Sequence, residues 1–90
     1  MAIPRKRILE KIAGLRNGIN YHLSEHIPGL IGKADDGLLE YWRKEVSHLI
    51  DGLENWARRL SKSADILTEA NEYRQRLEAI LEQRRRELGT

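Results

Sequence analysis

Cysteine is absent from this 90-residue sequence, which removes disulfides, thiolate metal sites and cysteine nucleophiles together. Phenylalanine is also missing, valine occurs once and threonine twice. With so few of the residues that favour strands, and no segment that alternates apolar and polar, an all-helical chain is expected. No apolar run exceeds three residues, whereas roughly 20 are needed to cross a bilayer. The opening "MAIPRKRILEK" is basic but leads into no apolar stretch of the kind a secretory signal carries. A cytoplasmic protein that neither spans nor binds membrane is the expectation.

What is present is charge. Charged residues make up 33% and apolar residues 40%, with a mean hydropathy of −0.63, a profile that fits a soluble, charge-rich helical protein. The length allows one domain, residues 1–90, with a thin core. The net charge of +2 is unevenly spread. Residues 1–34 hold six Lys/Arg against two Asp/Glu, whereas residues 35–62 and 63–90 each hold five against six.

The apolar spacing predicts an antiparallel three-helix bundle with helices over about 4–27, 36–61 and 63–88. Pro4 suits a first helical turn. Ile8, Ile12, Leu15, Ile19, Leu23 and Ile27 then form one stripe that keeps its phase across Asn17-Gly18. Residues 27–37, with three glycines and a proline, read as the first loop, and Asp35 or Asp36 as the cap of the next helix. That helix carries the most regular pattern, with Leu39, Trp42, Val46, Leu49, Leu53, Trp56 and Leu60 at alternating steps of three and four. This is a heptad seam in which the two tryptophans are equivalent. Ser61 or Ser63 caps a third helix whose stripe is Ile66, Ala70, Tyr73, Leu77, Ile80 and Leu81, trailing to Leu88. The alternative is a helical hairpin whose second helix runs unbroken to the C-terminus, which requires an oligomer to cover it. Gly14-x-x-x-Gly18, with Gly52 opposite, suggests a close helix crossing.

His22, Glu25 and His26 stand in the spacing H-x-x-E-H, which resembles the signature of the inverzincin metallopeptidases. That resemblance implies a zinc held by the two histidines and a water activated by the glutamate. It covers five residues, and a catalytic zinc needs a third protein ligand. In a hairpin whose facing residues add to about 65, His48 lies across from position 17, too far along the helix for a bond of ~2.0–2.1 Å to share. The same residues also read as one helical turn with Leu23 inward. No catalytic residue, metal or cofactor is therefore expected, with His22 and His26 the candidates were a metal bound. "GLIGK", at 29–33, has too few intervening residues for a phosphate loop.

Two binding readings follow. Trp42, Leu49, Leu53 and Trp56 on the seam suggest a protein interface, through self-association or as an accessory subunit. Arg5, Lys6, Arg7, Lys11 and Arg16 suggest phosphate contacts and hence a nucleic-acid partner. Cations at a helix N-terminus oppose its dipole, so residues 1–7 are also read as a frayed basic arm. No small-molecule substrate and no enzymatic activity are expected.

Overall fold

The computed structural model describes residues 3–89. Helix α1 spans Arg5–Tyr21, α2 Asp36–Ala57 and α3 Ala64–Gly89. They make a small all-α three-helix bundle, with no strand among the described residues. Helices α1 and α2 are antiparallel: Gly18 lies against Leu49, Gly52 against Leu15 and His22 against Glu45, pairs whose numbers each add to 67. Helix α3 runs parallel to α1, since Arg16 meets Glu69, Asn20 meets Tyr73 and Ser24 meets Arg76. The bundle is elongated, 53 × 19 × 18 Å. No helix among the described residues is long and apolar enough to cross a membrane.

Helix α1 passes through Asn17-Gly18 without interruption and does not stop at residue 27. It widens into a π turn over His22–His26, where the Ile27 N–H bonds to the His22 carbonyl, and resumes as a short helical turn, Ile27–Leu30. A 3₁₀ turn, Ile31–Lys33, follows. The cause is local. Pro28 has no N–H to give to the fourth carbonyl before it, and its ring would crowd that carbonyl in a regular helix. The wider turn just ahead of it relieves the conflict, so Pro28 is absorbed where a break was expected. The loop proper shrinks to Ala34 and Asp35. Asp35 caps α2, its Oδ1 accepting from the Leu38 N–H at 2.8 Å, and Ala34 is buried.

The second break decides the topology. Helix α2 ends at Ala57, four residues short of the expected 61, and the chain turns through 58–63 before α3. The unbroken C-terminal helix is thus excluded. The Ser63 carbonyl accepts from the Leu67 N–H at 3.0 Å, which places Ser63 at the start of the third helix as expected. Of the expected basic arm, residues 1 and 2 lie outside the described residues. Arg5–Arg7 form the first turn of α1, their N-terminal carbonyl being that of Pro4, which accepts from the Arg7 and Ile8 N–H groups.

The core is closed within one chain. Ile8, Ile12, Ile19, Leu23 and Ile27 bury their side chains from α1 and its extension, as do Ala70, Leu77 and Leu81 from α3. On α2 the buried set is Leu39, Trp42, Val46, Ile50, Leu53 and Ala57. This departs from the heptad seam at Leu49, which is replaced by Ile50, and at Trp56, which gives way to Ala57. The reason is geometric: a straight helix drifts about 20° per heptad relative to a 3.5-residue repeat. Trp42 and Trp56, two heptads apart, therefore differ by about 40° in facing. Trp42 is 1% exposed, whereas Trp56 is only partly buried, with the Arg59 guanidinium 4.9 Å over its ring.

Polar contacts fix α3 in the groove. Arg16 Nε donates to both Glu69 oxygens at 3.1 and 2.7 Å, and Glu69 accepts from the Tyr73 hydroxyl. Arg74 donates to Asp51 and Glu54, each at 2.6 Å, and Arg43 to Glu78 at 3.0 Å. Arg84 reaches the Ala34 carbonyl at 3.0 Å. Exposed pairs of this kind contribute about 0–1 kcal/mol each. Their larger effect is to set the axial register of a helix that offers only three fully buried side chains.

Candidate functional site

The packing of α2 against the π turn brings Trp42 and Glu45, distant in sequence, to His26 and His22. His22 and His26 approach with Nδ1 atoms 3.0 Å apart, one ring donating to the other. Tyr21 lies parallel to the His26 ring, centroids 5.8 Å apart and 9° between planes, and Trp42 meets the same ring edge-on at 6.1 Å. On the far side of His22, Nε2 stands 3.7 Å from Glu45 Oε1, longer than a hydrogen bond but within ion-pair range. Glu45 also holds Tyr41: a hydrogen bond to its carboxylate, with the carboxylate's charge, keeps the Tyr41 hydroxyl above the usual tyrosine range.

These residues share one edge of the bundle for a simple reason. On α1 and the π turn that extends it, positions 16, 20 and 24 contact α3, while 15, 18 and 22 contact α2. On α2, positions 43, 51 and 54 contact α3, while 45, 49 and 52 contact α1. The α1–α2 edge away from α3 is left to Tyr21, His22, Tyr41, Glu45 and His48. A shallow, mostly apolar groove lies along it, lined by Tyr41, Lys44, Glu45, His48 and Leu49.

Comparison with known families, curated proteins and solved structures gives no match. Geometry alone carries the functional reading.

The expected interface residues separate. Trp42 and Leu53 are fully buried in the chain's own core, so neither is available to a partner; Leu49 and Trp56 are partly exposed at the edge of that core. The correction has the helical drift as its cause, because a heptad pattern does not by itself tell inward from edge positions. Gly14 also leaves the expected close crossing: a Cβ there would meet nothing within 4 Å. Gly18 and Gly52, by contrast, each seat a leucine from the opposite helix, Leu49 and Leu15.

The acid beside the histidines is Glu45, from α2, while Glu25 is exposed. Among the described residues no group of three or more His, Cys, Asp or Glu side chains is arranged to hold a metal ion. His48 lies on the groove, outside the His22/His26 pair.

Of the phosphate-contact residues, Arg5, Lys6, Arg7 and Lys11 are exposed, whereas Arg16 is tied to Glu69. The first turn of α1 contains no acid. The antiparallel register adds residues that the sequence reading did not include. It places position 7 across from position 60, so exposed Arg58, Arg59 and Lys62 share this end of the bundle. The signal was in the sequence as a second cationic run, but only the hairpin register joins the two.

Proposed function

We propose that this chain is a non-catalytic helical binding module that engages a protein partner in the cytoplasm along the α1–α2 edge. The observation that carries the reading is the pair of exposed tyrosines, Tyr41 (59%) on the apolar groove at Leu49 and Tyr21 (53%) against the His22 and His26 rings. Tyrosines present large contact area with little side-chain freedom to lose, and they are enriched where proteins meet. A separate partner is preferred over self-association, because one chain already covers most of its apolar stripes, with Leu88 at the end of α3 left exposed. A photo-crosslinking residue at position 41, compared with one at exposed Gln75 on α3, tests this in the native cell. One adduct enriched at 41 and lost on Tyr21→Ser supports it; equal yields at both positions refute it, and an adduct of doubled mass identifies self-association instead.

A second reading is favoured by the cationic end. Arg5, Lys6, Arg7, Lys11, Arg58, Arg59 and Lys62 converge there, with Glu10, Glu54 and Asp65 nearby in sequence and Glu54 already engaged by Arg74. Such a cluster suits a phosphate backbone, and binding would weaken steeply with salt. Retention on duplex or single-stranded nucleic acid at low salt, lost on neutralising Arg5, Lys6 and Arg7, supports it. No retention at low salt removes it.

A further inference from the structure

We propose that His22 and His26 form a two-ligand site for a divalent transition ion, with Glu45 as the positioning carboxylate behind it. Two facing imidazole nitrogens are one shared proton away from a chelate. With M–N bonds of about 2.0–2.1 Å, nitrogens held by one ion stand about 2.9 Å apart at a right angle and about 3.3 Å apart at the tetrahedral angle. The observed Nδ1···Nδ1 separation is 3.0 Å, within that range; to bind an ion the donating ring gives up its Nδ1 proton to water and takes one up on Nε2, and both rings turn their Nδ1 lone pairs from each other toward the ion. The near-right-angle bite suits square-planar or octahedral ions, and the order of affinities for nitrogen ligands favours Cu²⁺ and Ni²⁺. Water completes the coordination, since the described residues supply no third ligand.

Two further observations make this more than a pair of neighbouring histidines. Coordination through Nδ1 requires both rings to carry their proton on Nε2. His22 Nε2 stands 3.7 Å from Glu45 Oε1, within ion-pair range and a small side-chain movement from the hydrogen-bonded carboxylate–histidine–metal arrangement that orients ligand imidazoles. The His26 ring is held between parallel Tyr21 and edge-on Trp42, so its position is set before any ion arrives. The i, i+4 spacing puts both rings on one helix face, and the pair is largely sheltered, with the His22 side chain 14% exposed. The other groups near Glu45 are the Tyr41 hydroxyl, which engages the same carboxylate, and Lys44 and His48 along the groove.

The test is calorimetric titration of the intact chain with Ni²⁺ and Zn²⁺ alone, near neutral pH. One equivalent is expected to bind, at least tenfold more weakly in His26→Ala, severalfold more weakly in Glu45→Gln and unchanged in His48→Ala. Circular dichroism checks that each variant keeps its helicity. Nitrogen NMR of the unmodified protein provides a readout that needs no variant: Zn²⁺ should move the Nδ1 resonances of both His22 and His26. Absence of binding, an equal loss in His48→Ala, or Zn²⁺ shifts confined to Nε2 would each overturn the proposal. None of these outcomes bears on the crosslink at position 41, so this site and the protein-binding edge stand or fall separately.

Discussion

Replacing Trp42 and Trp56 one at a time tests the packing of α2 most directly, because the heptad pattern makes them equals and the fold does not. Trp42 is 1% exposed. Its indole removes roughly 150–250 Å² from water, or about 4–6 kcal/mol at about 25 cal/mol per Å². Measured costs of truncating buried Trp to Ala run about 3–5 kcal/mol. A 90-residue domain has a total stability of roughly 5–13 kcal/mol, so Trp42→Ala removes about a quarter of it or more. At about 4–8 °C per kcal/mol the melting temperature falls by more than about 12 °C. Trp56 is partly exposed and stacks under Arg59 at 4.9 Å. Its loss forfeits part of the area and a cation–π contact worth about 0.5–1 kcal/mol, for about 1–2 kcal/mol in total. Urea unfolding followed by circular dichroism measures both on one scale, and the remaining tryptophan in each variant gives a second, fluorescence-based midpoint. Equal costs for the two variants would show that the heptad seam, and not the drifted seam through Ile50 and Ala57, faces the core.

Other perturbations bear on the helices and their ends. Gly14→Ala should raise the urea midpoint, with a gain of about 0.5–1 kcal/mol from helix propensity; a loss would place Gly14 in a close crossing after all. Asp35→Ala removes the side-chain cap of α2 and should cost about 1 kcal/mol in the same assay, whereas Asp36→Ala, one position later, should cost less. Arg5→Glu replaces a cation by an anion in the first turn of α1 and should stabilise by about 0.3–1 kcal/mol at low ionic strength. That gain should shrink in high salt, and a thermal melt in each condition would reveal its absence.

Composition and spacing alone determined the all-helical class and narrowed the α2 cap to Asp35 or Asp36, because helical periodicity and capping chemistry act within a few residues; the structure chose Asp35 and the break at 58–63. They also determined the α1 stripe from Ile8 to Ile27, where steps of three and four follow the true 3.6-residue period closely enough to keep one face inward. What they could not determine was any property that accumulates over distance. The drift of α2 exchanged Leu49 for Ile50 and separated Trp42 from Trp56 only after several turns had added up. Pro28 reads as a break, and only the structure shows that the chain keeps Leu23 and Ile27 buried by widening one turn ahead of it. The hairpin register, two residues from the value expected, then decided which side chains meet across helices. It set Glu45 behind His22 and gathered Arg58, Arg59 and Lys62 beside Arg5–Arg7, meetings made only by the tertiary structure, on which the metal-site and nucleic-acid proposals rest.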